Sequence, residues 1–178
     1  MEFEQVLENR RSIRNYEPYE ISRETVEELV QAAAMAPSWK NSQTRRYYAA
    51  LSPEAIAFVR NEVLLPMNAQ KTENAACYLI SCAKKGESGI GAENEYANEI
   101  EEGWAIYDLG LADENLLLKA YDLGLGTLVM GIRDAEKIRT YFQVPEDEII
   151  LSVIAVGRAA VHPNAPKRKP LKEILEIR

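Results

Sequence analysis

The sequence predicts an α+β fold in which helices wrap a sheet of four to five strands. Segments with helical periodicity alternate with short apolar runs along the whole chain. The segment at about 98–123 has apolar residues on nearly every side, which is typical of a buried central helix. "IILSVIAVG" at 149–157 is a continuous apolar run, which predicts a central strand covered on both faces.

The composition is that of one soluble globular domain. The chain has 178 residues, of which 47% are hydrophobic and 28% charged, and its net charge is −7. The acidic balance argues against a nucleic acid or an anionic membrane as partner, because either would need an extended basic patch. No segment resembles a signal peptide or an apolar run of the roughly 18 residues that span a membrane. We expect a cytoplasmic protein.

The first half of the chain predicts helices and two strands. Phe3, Val6 and Leu7 have the spacing of a first helix, whose last turn should run into an arginine cluster. Ser22 is a candidate N-cap of a second helix that ends before Pro37. Further predicted elements are a strand at 45–51, a helix from Ser52 to Leu65 that Pro66 ends, a polar helical turn at 67–74 and an apolar strand at 77–83.

The second half begins with an acidic, glycine-containing segment at 84–102, which predicts a mobile surface loop. The long helix follows. Its Gly103 and Gly110 are either tolerated glycines or mark the close approach of another helix, and both interpretations stay open. The remaining predictions are a helix C′ position at Gly124, a strand at 126–132, a helix capped by Asp134 and ended by Pro145, and a basic, proline-rich tail.

A metal site built from cysteine and histidine is not expected. Cys77 and Cys82 lie five positions apart in a predicted strand, so their side chains should point to opposite faces and form no disulfide. His162 is the only histidine and lies in the proline-rich tail. Two mismatched cysteines and one histidine do not make a zinc site.

"NRRSIRNY" at 9–16 concentrates cations near the start of an acidic chain. Two interpretations remain open from the spacing alone. The arginines can neutralise the negative end of the first helix. Alternatively, Arg10, Ser12 and Arg14 point to one side and bind a phosphate, because forked guanidinium groups and a hydroxyl suit that anion.

Six motifs follow one another from about residue 2 to 172. They are "RRSIRNYEPYEIS", "AAAMAPSWKNSQTRRYY", "NAQK", "DLGLADENLLLKAYDLGLGTLVMGI", "PEDEIILSVIAVGRAA" and "PKRKPL". This ordered set resembles the FMN-dependent nitroreductase family. The resemblance implies a single domain over 1–178, a mixed or antiparallel sheet, and an interlocked homodimer with FMN at the interface. Residues 160–178 would form a C-terminal extension that packs on the partner subunit.

The resemblance also implies which residues hold FMN. Arg10, Ser12 and Arg168 match the phosphate site, to which Arg11 contributes mainly through its backbone. Lys167, beside Arg168, is either a solvated residue or a further ligand of the phosphate. Arg14, Asn68 and Lys71 match the groups at the N1 and O2 edge of the flavin, where a cation favours the reduced, anionic ring. The segment with Met130 and Gly131 matches the backbone at flavin N5 and O4. The loop that the partner subunit contributes beside the cofactor matches Pro37, Ser38, Trp39, Asn41 and Gln43.

The implied function is that of an NAD(P)H oxidoreductase in which hydride passes through flavin N5 to a nitroaromatic, quinone or similar conjugated acceptor. The scheme is ping-pong and needs no catalytic side chain. Alternatives are a related reductive dehalogenase or flavin-fragmenting enzyme, and a non-catalytic protein that binds or senses FMN.

The chain departs from the family pattern after Gln43, where Thr44 and Arg45 replace a proline and a tryptophan, and at Trp39 and Lys40, where small residues are frequent. Trp39 either narrows the acceptor pocket or is an interface aromatic. Segment 84–102 is either a lid or a solvated surface. Asn115 is expected to be a satisfied buried amide.

Overall fold

The computed structural model describes residues 2–178. The helices are α1 (Phe3–Asn9), α2 (Arg23–Ala34), α3 (Pro53–Phe58), α4 (Pro66–Lys71), α5 (Gly103–Asp122) and α6 (Ala135–Phe142). The strands are β1 (Tyr16–Glu17), β2 (Arg45–Ala50), β3 (Cys77–Lys84), β4 (Gly126–Met130) and β5 (Glu148–Ala159). They form one five-stranded sheet in which every pairing is antiparallel. The prediction of an α+β fold with four to five strands is confirmed.

Strand β5 is the centre of the sheet. Val153 pairs with Ile80 of β3 on one edge and with Met130 of β4 on the other. Val153 packs into the hydrophobic cluster with α6, whereas Ile154 packs into the cluster with α2 and α5. Both faces of β5 are therefore covered, as its continuous apolar run predicts.

Helix α5 differs from the prediction in two respects. It begins at Gly103 instead of about 98, and it is not buried on every side. Leu109 and Leu116 are fully buried, whereas Ile106 and Tyr107 are 38% and 58% exposed. Gly110 is exposed, and a Cβ added there would meet no atom within 4 Å. One face of α5 thus remains open in the single chain.

The helix ends follow the predicted capping residues. The Ser22 hydroxyl accepts from the Thr25 N–H, the Asp134 carboxylate accepts from the Lys137 N–H, and Gly124 has φ +75° just after α5. Two predicted helix bounds in the first half of the chain are wrong. α1 ends at Asn9, so its last turn carries no arginine. The helix after Ser52 ends in a π-turn at Val59–Val63, and Pro66 starts α4, because proline is favoured in a first turn.

Cys77 and Cys82 are free and fully buried on opposite faces of the sheet, as predicted. Burial raises the pKa of the Cys77 thiol to about 12, which makes it a poor nucleophile. Over residues 2–178 no cluster of His, Cys, Asp and Glu could hold a metal ion. None of the helices within this range is long and apolar enough to cross a membrane.

Asp113 ties α5 to the sheet. Its carboxylate is 7% exposed and accepts from the Tyr47 hydroxyl at 2.8 Å and from the Ser81 hydroxyl at 2.8 and 2.9 Å. Burial raises the pKa of Asp113 above its ordinary value, although both hydroxyl groups oppose this effect.

The raised pKa predicts a pH dependence of stability. The folded state holds the Asp113 proton more tightly than the unfolded chain. The contribution of this group to stability is therefore greatest below the ordinary Asp pKa of about 3.9 and is lost as pH rises through the raised value. The free energy of unfolding of the wild type minus that of Asp113→Asn should fall as pH rises from about 4 to about 7. Urea unfolding over that range checks this, and a difference that is constant or rises with pH contradicts it.

Candidate functional site

A cationic cavity of about 370 Å³ lies between the segment after α1 and the C-terminal tail. Its lining includes four residues of the predicted phosphate site, Arg10, Arg11, Ser12 and Arg168. Arg14, which the resemblance assigns to the flavin ring, lines the same cavity. Residues from the two ends of the chain thus meet at one place. Lys167 is exposed and is not in this lining.

The guanidinium group of Arg10 has unused hydrogen-bonding capacity. Its Nε is buried without a hydrogen-bond partner, and the Glu114 carboxylate lies 3.7 Å away, too far for a hydrogen bond. The other two arginines of the segment bend back onto the backbone, since Arg11 donates to the Arg10 carbonyl at 2.7 Å and Arg14 to the Ser12 carbonyl at 3.3 Å. A buried cationic donor that makes no hydrogen bond is costly, and the distant Glu114 carboxylate offsets this cost only in part.

Strand β4 holds the arginine segment in place. Ser12 forms a parallel β-bridge with Thr127, and the Ile13 N–H donates to the Thr127 carbonyl at 2.8 Å. Gly126 permits this approach, because a Cβ on Gly126 would lie 2.5 Å from Ile13 Cγ1. The arginines therefore follow an extended segment paired with the sheet instead of capping α1.

The other end of β4 leads to the predicted flavin-ring residues. At about 3.3 Å per residue, Gly131 lies about 13 Å along the chain from Thr127. Just after it, Arg133 pairs with Leu64, and the Asp134 N–H donates to the Val63 carbonyl, so the chain after β4 adjoins the chain before α4. Met130 is buried and Gly131 exposed.

Asn68 and Lys71 occupy one turn of α4, as predicted. The end of this helix is fixed to β3, because the Tyr78 hydroxyl donates to the Thr72 carbonyl oxygen at 2.9 Å. Within residues 2–178 neither the Asn68 amide nor the Lys71 ammonium has a side-chain hydrogen bond or an ion pair. Both groups are half-buried, so they remain available to a ligand.

The predicted loop lies elsewhere in the same chain. It connects α2 to β2 and consists of Pro37, Ser38, Trp39, Asn41 and Gln43 among others. The turn at Trp39–Asn41 contacts α5. None of the five residues lines the arginine cavity in the part of the chain described. The Gln43 N–H donates to the Ser38 hydroxyl at 3.0 Å. The Trp39 N–H donates to Asp108 Oδ2 at 2.9 Å.

Several residues around these sites were missed by sequence reasoning. Pro163, Asn164 and Pro166 complete the arginine cavity, and Asp108 holds the Trp39 loop. A sequence signal existed for Asp108, since an acidic residue interrupts an apolar stretch of a long helix. The proline-rich tail carried no comparable signal, because its position depends on folding.

The residues that depart from the family pattern have structural roles. Thr44 is 1% exposed, and its carbonyl accepts from the Lys84 N–H at the start of the β2–β3 pairing. Arg45 donates to the Ala34 carbonyl at 2.5 Å and ties β2 to the end of α2. Asn115, which follows the family pattern, donates to the Ala32 carbonyl at 3.3 Å, as expected of a satisfied amide, but it is half-buried and not buried.

Comparisons with known proteins show the family of this chain. The model of the nitroreductase family matches residues 7–158, most of the chain. The chain belongs to the nitroreductase family. This confirms the resemblance that the six sequence motifs indicate.

Two curated relatives from this family illustrate the similarity. A protein of Methanothermobacter thermautotrophicus, whose name gives NADH dehydrogenase or NAD(P)H nitroreductase as an inferred activity, is 27% identical over 92% of this chain and 81% of its own length. The FMN reductase (NADPH) of Bacillus subtilis is 26% identical over 91% of this chain and 66% of its own length.

A solved structure shows the same fold. A nitroreductase-type protein of Exiguobacterium sibiricum, crystallised in complex with FMN, superimposes with a TM-score of 0.85. The comparison covers 100% of this chain and 98% of that one at 21% sequence identity. The predicted nitroreductase-like fold is thus confirmed.

The close contact at Gly126 is testable. Gly126→Ala should destabilise the protein by about 1–3 kcal/mol, because the new methyl group overlaps Ile13 and pushes the arginine segment off β4. Ile13→Ala in the same chain should recover part of this loss, which a double-mutant cycle by urea unfolding measures. Gly110→Ala is the control and should be neutral or stabilising by up to about 1 kcal/mol. Additive effects at residues 13 and 126 would contradict the contact.

Proposed function

We propose that this protein is an FMN-dependent NAD(P)H oxidoreductase that reduces nitroaromatics, quinones or similar conjugated acceptors by a ping-pong mechanism. The observation that carries the proposal is the arginine cavity in a chain of the nitroreductase family. The FMN reductase name of one relative and the FMN complex of a structural neighbour support the cofactor. The NAD(P)H in the names of relatives supports the hydride donor.

The cavity has the chemistry that the FMN phosphate requires. The cavity offers a dianion three donors: the Arg10 Nε, which makes no hydrogen bond, the Arg168 guanidinium and the Ser12 hydroxyl. The net charge of the whole protein is −7. Lys167, beside Arg168 in the chain, adds positive charge near the tail. Arg11 is already bonded to a carbonyl, so it contributes mainly through its backbone.

The ring end would be held by the groups around α4 and the end of β4. Lys71 and Asn68 offer a cation and an amide, and Arg14 adds a second cation from the cavity. Gly131, which has no side chain, leaves the backbone N–H groups after Met130 open to a planar ligand. When bound, FMN supplies a centre at N5 that accepts and donates hydride. The positive charge of Lys71 and Arg14 would favour the reduced, anionic form.

A homodimer would bring the Trp39 loop to this site. The loop lies away from the cavity of its own chain, so it would act on the cofactor bound to a second copy. The single chain also exposes apolar surface that a partner could cover. Residues 160–178 are exposed throughout, and Leu171 and Ile174 of the tail are 68% and 69% exposed. We propose that this extension packs on the partner subunit.

Stopped-flow spectroscopy tests the function directly. The purified protein should be yellow, and its visible flavin absorbance should bleach when NADH or NADPH is added without oxygen. Addition of a nitroaromatic or a quinone should restore the absorbance, and steady-state rates should give parallel double-reciprocal lines. A bound flavin that neither nicotinamide reduces would indicate a non-catalytic FMN-binding protein. A colourless protein that takes up no FMN would refute the proposal.

The phosphate assignment has a separate test that compares FMN with riboflavin, which lacks the phosphate. Arg10→Ala and Arg168→Ala should each weaken FMN binding by roughly 1.5–3 kcal/mol, because each removes a charge-assisted hydrogen bond, and should leave riboflavin binding unchanged. Arg23→Ala, which removes an exposed arginine paired with Glu27, is the control. Fluorescence titration measures both affinities. Equal losses for FMN and riboflavin would place the arginines elsewhere.

A further inference from the structure

The loop around Trp39 has a backbone conformation that its side chains disfavour. Lys40, Asn41 and Gln43 have φ values of +45°, +57° and +51°, in the left-handed region that suits glycine. Such residues cost free energy and persist only when their surroundings hold them. The contacts that hold this loop therefore decide where Trp39 lies.

A buried carboxylate fixes the loop to α5. Asp108 is 4% exposed, and its Oδ2 accepts from the Trp39 N–H at 2.9 Å and from the Ser88 hydroxyl at 2.7 Å. Hydrogen bonds to a carboxylate are among the strong ones. A single oxygen atom thus joins the loop after α2, the acidic segment after β3 and the first turns of α5.

The indole ring of Trp39 is held by the acidic segment as well. Its Nε1–H donates to the Ile90 carbonyl at 3.0 Å, and the Lys40 ammonium donates to the same oxygen at 3.0 Å. The ring packs on Trp104, with centroids 4.9 Å apart. Trp104 in turn donates to Asn98 at 2.8 Å. Trp39 is thus fixed at its backbone and at its ring, yet it is only half-buried.

We propose that Asp108 is a positioning residue that makes Trp39 a rigid wall of the acceptor site, so that acceptors are selected by their width. The inference rests on the proposed function, in which the Trp39 loop lies beside the cofactor. The segment at 86–98 then supports Trp39 and is not a lid. Its Ile90 carbonyl accepts from Trp39 and Lys40, and its Ser88 hydroxyl donates to Asp108.

The fixed Trp39 ring should affect wide acceptors more than narrow ones. Trp39 is held by hydrogen bonds from its backbone N–H and from its indole Nε1–H, so its ring cannot move aside for a wide acceptor. A narrow acceptor does not reach the ring. Replacement of the Asp108 carboxylate by a neutral amide weakens these hydrogen bonds, because they are no longer charge-assisted, and should let the loop relax from its strained conformation. The protein should then discriminate less against wide acceptors, mainly because their KM falls.

The test compares a narrow quinone, 1,4-benzoquinone, with a wide one, anthraquinone-2-sulfonate. In Asp108→Asn the ratio of kcat/KM for the wide acceptor to that for the narrow one should rise about fivefold or more over the wild type. The preference for FMN over riboflavin should stay at the wild-type value, since the arginine cavity proposed for the phosphate is a separate part of the chain. Trp39→Phe keeps a ring, loses the bond to Ile90 and should shift the ratio in the same direction. It also provides a second variant if Asp108→Asn does not fold.

Asp113→Asn is the matched control. It removes the other buried carboxylate of α5, but Asp113 bonds Tyr47 and Ser81 and none of the loop. The acceptor ratio should stay at the wild-type value, and acrylamide quenching of tryptophan fluorescence should rise only in Asp108→Asn.

Three results would overturn the inference. An unchanged ratio in Asp108→Asn and Trp39→Phe, with flavin still reduced by nicotinamide, would refute it and leave the proposed function intact. An equal shift of the acceptor ratio in Asp113→Asn would indicate that Asp108 only stabilises the fold. A protein that binds no FMN would refute the proposed function and the inference together.

Discussion

The pairing of β5 with β3 on one edge and β4 on the other is the constraint on which the rest of the structure depends. A strand covered on both faces must be apolar throughout. The helices that cover β5 must therefore pack on both faces of the sheet. β4 is fixed by this pairing, and β4 in turn aligns the arginine segment at its start and the α4 region at its end. The geometry of the candidate site therefore derives from the core of the sheet.

The candidate site is positively charged, whereas the whole molecule is negatively charged. A chain with net charge −7 gathers Arg10, Arg11, Arg14 and Arg168 around one cavity, although like charges repel. Glu114, 3.7 Å from Arg10, compensates only part of this charge. A bound dianion would relieve the repulsion and pair the buried Arg10 Nε. Binding of the phosphate should thus stabilise the fold as well as position the cofactor.

Helix α5 performs two tasks with two buried carboxylates. Asp113 faces the sheet and satisfies hydroxyl groups of β2 and β3, whereas Asp108, five positions earlier, faces the Trp39 loop and the acidic segment. One side chain stabilises the core and the other positions a surface loop. Because both carboxylates are buried on the same helix, a substitution at Asp113 measures the general loss of stability. The same substitution at Asp108 adds any specific change in the position of the Trp39 loop.

By itself, the sequence determined the fold class, the doubly covered strand β5, the caps at Ser22 and Asp134 and the family, because these depend on local periodicity and motif order. Local pattern also placed Asn68 and Lys71 on one turn of α4. It did not determine that α1 ends before the arginines, that one face of α5 stays open, or that Asp108 holds Trp39. Those features depend on contacts between residues far apart in the chain, such as Ile13 with Gly126 and Trp39 with Ile90, and such contacts form only when the sheet brings the segments together.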